Sequence, residues 1–161
     1  MKSLILIRHA KSSWEHDVTD RERPLKKRGN KDAVLVSKAF RMRFIEPDVV
    51  FSSPANRALS TCHIFLEQLE IDKINLKIAE DLYDFGGESV INFLKHLDER
   101  YQKVMIFGHN NAFTSICNIF GDNFIENLPT SGLAIIDFEV NSWQDIQNGT
   151  TRALIFPRDL K

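Results

Sequence analysis

The sequence predicts an α/β protein: a three-layer α/β/α sandwich with a mostly parallel central sheet, helices on both faces and an antiparallel edge. Three observations predict it. Short β-rich runs without polar alternation recur along the chain, as in strands buried on both faces. Between them lie segments whose apolar residues fall at helical spacing. No repeat, low-complexity tract or Gly/Ser linker interrupts this alternation, so one domain over residues 1–161 is expected.

Leu4-Ile5-Leu6-Ile7 is the first strand. A helix follows Gly29, with Val36, Ala39, Phe40 and Phe44 on one face and Pro47 as its stop. Val49-Val50-Phe51 is the second strand and leads into Ser52-Ser53-Pro54, where serine before proline suits an N-cap and first helical position. That helix carries Ala55, Ala58, Cys62, Phe65 and Leu69. Asn75 to Ile78 reads as a short third strand, and a loop from Ala79 to Gly87 precedes a helix with Val90, Ile91, Leu94 and Leu97 inward. Val104-Met105-Ile106-Phe107 is the fourth strand, broken by Gly108, and Phe113, Ile116, Cys117 and Phe120 form the next helical face. Leu133 to Val140 and Ala153 to Phe156 are the closing strands, with Asn148-Gly149 as a turn between them.

Composition narrows the function. A hydrophobic fraction of 43% with 27% charged residues supports a packed core and excludes wholesale disorder. Apolar runs such as Leu4–Ile7 fall far short of a membrane span, and no small-residue cleavage site follows this one. A net charge of −1 argues against a general nucleic-acid coating role. The two cysteines, Cys62 and Cys117, sit in apolar helical patterns and read as structural thiols in a reducing compartment. A cytoplasmic protein with no membrane and no nucleic-acid partner is the expectation.

In open α/β sheets, ligands bind beyond the carboxyl ends of the strands. Here the first strand runs into Arg8-His9-Ala10, the second into Ser52-Ser53-Pro54-Ala55-Asn56-Arg57, and the fourth into Gly108-His109-Asn110. Alone, each histidine reads as a loop residue and Arg57 as a solvated side chain near a helix start, where a cation opposes the helix dipole. Together, two guanidiniums and two imidazoles on one rim, with no carboxylate in those motifs, form a cradle for a dianion.

These stretches resemble the histidine phosphatase superfamily, which has the phosphoglycerate-mutase-like fold. Leu6-Ile7-Arg8-His9-Ala10-Lys11-Ser12 is similar to its arginine–histidine signature, Ser52-Ser53-Pro54 with Arg57-Ala58 and Thr61 to its second motif, and Gly108-His109-Asn110 to its third. The similarity extends over Arg23-Pro24-Leu25 with Arg28-Gly29, Asp81-Leu82-Tyr83, and Leu128-Pro129-Thr130-Ser131-Gly132. The match is to the short branch typified by SixA-type phosphohistidine phosphatases. It implies a phosphatase without cofactor, with His9 as nucleophile, Arg8, Arg57 and His109 as phosphate-binding and catalytic residues, and a phosphohistidine enzyme intermediate. It also implies, for ester substrates, a carboxylic acid in the loop holding Glu80 and Asp81, of which Glu80 is favoured. The expected partner is a phosphorylated protein or a small phosphorylated substrate.

The physics fits that assignment. A nucleophilic imidazole must be neutral, and neighbouring guanidiniums disfavour its protonated form. An imidazole leaving group departs more readily than an alkoxide, so an ambiguous acid leans the reading towards phosphohistidine. Glu15 stands where the longer mutase branch often has asparagine, and its charge would repel a second phosphate. A phosphomonoester phosphatase or mutase, and a non-catalytic phosphate-binding module, are the alternatives.

Other features fall outside the cradle. The basic stretch from Arg21 to Lys31 is interleaved with Asp20 and Glu22 and reads as a solvated loop and helix start, or else as a docking surface. His16, His63 and His96 lack ligand-like spacing, and no zinc motif, cysteine-phosphatase loop or Walker loop is present. Trp14 is placed to shape a pocket wall, and Trp143 to pack.

Overall fold

The first strand, β1 (Lys2–Arg8), sends Leu4 and Leu6 into one core and Ile5 and Ile7 into the other, as the two-residue period of a strand requires. A computed structural model describes all 161 residues of the chain. Along it follow α1 (Lys27–Arg41), β2 (Val49–Ser52), α2 (Asn56–Leu69), β3 (Leu76–Ile78) and α3 (Glu88–Lys95). Then come β4 (Lys103–Gly108), α4 (Ala112–Phe120), β5 (Leu133–Phe138) and β6 (Thr150–Ile155), with short 3₁₀ turns between several elements.

The six strands form one sheet in the order β3-β2-β4-β1-β5-β6. β3, β2, β4 and β1 are parallel, while β5 is antiparallel to both β1 and β6. The mostly parallel sandwich with an antiparallel edge is therefore the fold, and only β5 runs against the rest. One core takes Val36 and Phe40 of α1 and Cys62, Phe65 and Leu66 of α2. The other takes Val90 and Leu94 of α3 and Phe113, Ile116 and Phe120 of α4. The helices thus divide two and two over the faces.

Several boundaries differ from the sequence expectation. α1 begins at Lys27, takes Gly29 inside it and ends at Arg41, well before Pro47. Phe44 consequently lies beyond the helix, where its ring meets Phe40 edge-on at 5.8 Å. Gly29 is required there, because a Cβ would lie 2.3 Å from the Lys11 carbonyl oxygen. The Ser53–Pro54 pair does not open α2, whose N-cap is Ala55. Ser53 Oγ instead lies between the Ala55 amide, from which it accepts at 3.2 Å, and the His109 ring. β5 stops at Phe138, short of Val140, and β6 starts three residues earlier than Ala153.

Burial also contains a surprise at Lys2. Its side chain is fully buried, with Nζ donating to the carbonyls of Glu99 at 2.8 Å and Tyr101 at 3.0 Å and lying 3.5 Å from the Glu99 carboxylate. Trp143 packs beside it and donates Nε1–H to the same Tyr101 carbonyl. Cys62 and Cys117 are free and buried, and burial pushes both thiols up to about 12. No helix is long and apolar enough to cross a membrane.

Candidate active site

Strand register assembles the site. Arg8 pairs with Gly108 across β1 and β4, and Ser52 with Phe107 across β2 and β4, so three carboxyl ends finish side by side. The ladder continues past them through His9 N–H to the Gly108 carbonyl and Ser53 N–H to the Phe107 carbonyl, both at 3.0 Å. The rings of His9 and His109 consequently sit 5.3 Å apart, centre to centre.

His9 is largely buried, and its Nδ1 lies 2.8 Å from the Ala10 carbonyl oxygen. A carbonyl only accepts, so Nδ1 carries the proton and Nε2 keeps its lone pair. Burial lowers the His9 pKa most; the Ala10 bond raises it, the Arg57, Arg8 and Arg23 charges lower it further, and the value falls to about 4. The ring is neutral at pH 7.

His109 is fully buried behind it, against Tyr83 and Phe85 at 5.2 and 5.1 Å. Its Nε2 is 2.8 Å from Ser53 Oγ. The Ser53 hydroxyl has no other acceptor for its proton, so it donates to Nε2, which makes His109 the Nδ1–H tautomer. Burial chiefly, with the His9 and Arg57 charges, depresses its pKa to about 3.

Four buried polar atoms in this region have no partner: Arg8 Nε, Arg57 Nε, His109 Nδ1 and Ser131 Oγ. Unsatisfied buried donors are rare and costly, on the order of 1–3 kcal/mol each. Three of these donors belong to residues expected in the cradle, so an oxyanion would satisfy what the protein leaves open.

Two residues of the site lie outside the strand-end motifs. Arg57 donates to Asp20 from Nη1 and Nη2, and Tyr83 donates to Asp20 Oδ2 at 2.5 Å. Arg23, expected in a solvated loop, is buried instead. It donates to Ser12 Oγ at 2.5 Å, the Ser13 carbonyl at 3.2 Å and Asp20 Oδ1 at 3.1 Å, and its guanidinium lies 3.3 Å over the Trp14 ring. Both arrive because the segment after β1 doubles back, with Ser12 bridging Leu25 and Ser13 N–H bonded to the Pro24 carbonyl. Partial burial raises the Asp20 carboxyl, but hydrogen bonds from Tyr83 and Arg57 and the Arg57 charge outweigh it and bring it down to about 2.

The resulting cleft, about 280 Å³, is lined by four cations, Arg8, Lys11, Arg23 and Arg57, against the single carboxylate of Asp20. His9 lies in it, and Trp14 and Phe85 are its apolar walls. Glu80 does not line it. Its side chain is 69% exposed and pairs with Arg21 on the surface, and Asp81 is exposed as well. No group of three His, Cys, Asp or Glu side chains is arranged to hold a metal ion.

Residues 4–88 match the model of the histidine phosphatase superfamily, branch 1. The chain belongs to that superfamily. It is a phosphatase, a hydrolase of phosphorylated groups. Among its relatives is an uncharacterized protein of Mycobacterium tuberculosis, 27% identical over 153 residues, covering 89% of this chain and 93% of the other. Among solved structures, the protein histidine phosphatase SixA complexed with tungstate superposes with a TM-score of 0.83 at 20% identity, covering 99% of both chains. A SixA structure from Agrobacterium tumefaciens superposes at 0.80 with 22% identity, covering 96% of this chain and 97% of the other. The phosphoglycerate-mutase-like fold is thereby established for this histidine phosphatase.

Proposed function

We propose that this histidine phosphatase, as one domain over residues 1–161, hydrolyses phosphohistidine on a protein through a phosphorylated His9. The observation that carries the reading is the His9 ring itself: Nδ1–H held by the Ala10 carbonyl, Nε2 left as a free base, and guanidiniums around it. In the first step, the Nε2 lone pair forms a bond to phosphorus while the substrate's phosphorus–nitrogen bond breaks. Its electron pair leaves with the substrate imidazole, which takes a proton from solvent. In the second step, water attacks the phosphorus and gives up its proton to solvent, and the pair of the His9 phosphorus–nitrogen bond returns to Nε2. Arg8, Arg57 and His109 supply donors to the equatorial oxygens, each worth roughly 3 kcal/mol at the transition state.

The absence of a poised acid favours phosphohistidine over an ester. Asp20 is ionised at neutral pH, since its carboxyl is pulled down to about 2. Glu80 is held by Arg21 outside the cleft. An alkoxide leaving group needs a proton, an effect of about 10²–10⁴ in rate, whereas imidazole leaves without a strong acid beside it. The SixA neighbour described as a protein histidine phosphatase supports the same direction.

The test is a side-by-side assay of a phosphohistidine peptide against phosphoserine, aryl and sugar phosphates, with a chelator present. Faster turnover of the phosphohistidine peptide and loss of phosphate release in His9→Ala are expected. Preference for a sugar phosphate, abolition by the chelator, or full activity in His9→Ala would overturn the reading.

A further inference from the structure

Beside the catalytic cleft lies a second one, and Thr130 lines both. Its floor is charged: Arg28, Arg158 and Lys161 against the single carboxylate of Asp32. Lys161 Nζ is bound to that carboxylate at 3.0 Å, so the two neutralise each other. The Arg28 side chain makes no hydrogen bond or ion pair within the chain and is exposed. Arg158 is 72% exposed, and the nearest carboxylate, Asp159, is 3.9 Å away and equally solvated. Arg28 is therefore unpaired and Arg158 only loosely paired, in a concave surface that shares Thr130 with the reaction site.

The other flank differs in character. There Arg21 is paired with Glu80 and lies over the Tyr83 ring, and Arg23 is committed to Asp20, Ser12 and the face of Trp14. On that flank both guanidiniums are therefore occupied within the chain, whereas on the Thr130 side Arg28 is not.

We propose that the cleft of Arg28 and Arg158 docks an acidic stretch of the polypeptide substrate that flanks the phosphorylated residue, entering across Thr130. The proposal rests on a protein being the substrate of the neighbouring site. Guanidiniums suit this occupant, since each forks onto a carboxylate with two parallel hydrogen bonds. Recognition by such exposed charges acts mainly through encounter and weakens with salt.

The experiment uses the full chain, and R28Q/R158Q as the variant. Two labelled, unphosphorylated peptides are compared by fluorescence anisotropy, identical except that three glutamates in one are glutamines in the other. A Kd at least tenfold lower for the glutamate peptide is expected, falling to parity in the variant and at 0.5 M salt. Turnover is then measured on the same pair carrying phosphohistidine, and on p-nitrophenyl phosphate. A KM advantage for the acidic peptide that disappears in the variant, with p-nitrophenyl phosphate turnover changed less than twofold, is the expected result. Equal binding of both peptides by the unaltered protein, or an acidic preference that survives in the variant, overturns the docking proposal. If neither phosphohistidine peptide turns over, the substrate reading fails, while the anisotropy comparison still decides the docking surface.

Discussion

Arg57 donates twice to Asp20, from Nη1 to the backbone carbonyl at 2.7 Å and from Nη2 to Oδ2 at 2.9 Å. Each terminal nitrogen commits one of its two N–H groups to Asp20, so the remaining N–H groups and the unpartnered Nε are what the guanidinium offers an anion. Asp20 thus orients one of the proposed phosphate donors and also lowers the positive charge of the cleft. In Asp20→Asn, Arg57 loses its charged anchor while the cleft gains one net positive charge. Phosphate is expected to inhibit three- to tenfold more tightly, and kcat to fall about tenfold. Opposite signs for binding and turnover, measured by steady-state kinetics with phosphate as inhibitor, distinguish orientation from simple loss of structure. Weaker inhibition together with unchanged kcat would refute the assignment.

The two histidines set the response to acid. His9 is lowered to about 4 and His109 to about 3, both chiefly by burial, from an ordinary value of 6.5. Because Nε2 of His9 must be unprotonated to attack, kcat/KM corrected for substrate ionisation is expected to stay level from pH 7 to about 5. It should fall only as the pH approaches 4. An unperturbed imidazole would begin to fail near 6.5.

Stability follows the same groups. The unfolded chain takes up protons on both histidines below about 6.5, while the folded chain does so only near 4 and 3. Their contribution is whole above 6.5 and is lost progressively as the pH falls towards those folded values. Urea midpoints at pH 7, 5.5 and 4.5 should therefore decline in that order, and His109→Gln should flatten the decline. A midpoint independent of pH in this window would contradict the burial of both rings.

The strand-end rule led to the part of the site that it governs. β1, β2 and β4 are short, apolar and parallel, so Arg8, His9 and His109 could be placed on one rim from their order in the chain. Arg57 followed because it lies one residue inside the helix after β2. Asp20 and Arg23 could not be found that way. They reach the cleft through a loop that folds back by backbone bonds at Ser12 and Ser13, and such bonds leave no period in the sequence. The Arg23-Pro24-Leu25 similarity was the available signal, but interleaved charges made the segment read as solvated. Glu80 lies outside the cleft for the converse reason: its loop approaches the site through Tyr83, while its own side chain turns outward to Arg21. Ser53 before Pro54 carries a cap signature, but its hydroxyl hydrogen-bonds the His109 ring from a distant stretch of chain, a tertiary contact that local spacing does not encode.

Lys2 tests a structural role that nothing in the sequence announced. Its ammonium is fully buried at the start of β1, bonded to two carbonyls and close to the partly exposed carboxylate of Glu99. In Lys2→Met the stem volume is retained, but the Glu99 carbonyl loses its donor, while Tyr101 keeps the Trp143 indole. One orphaned acceptor corresponds to about 1–3 kcal/mol. The urea midpoint should drop accordingly, with kcat/KM unchanged because the residue lies at the opposite end of β1 from Arg8 and His9. A midpoint equal to that of the unaltered protein would show that the buried ammonium contributes nothing net.

Ser53 governs a proton that the mechanism uses at one remove. Its hydroxyl finds no acceptor for its hydrogen other than His109 Nε2 and so fixes the proton of that ring on Nδ1, the atom without a partner. In Ser53→Ala, the ring loses the donor that selects its tautomer. Some molecules then carry the proton on Nε2 and present a lone pair, which repels a phosphoryl oxygen. A fall in kcat/KM of about tenfold is expected, with stability lower by about 1 kcal/mol for the lost hydrogen bond. Nitrogen-15 chemical shifts of the His109 ring give a readout that a purely structural role would not move. The unaltered protein should show Nδ1–H alone, and the variant a mixture of tautomers. An unmixed Nδ1–H signal in Ser53→Ala, together with undiminished turnover, would mean that something other than the serine hydroxyl holds the ring.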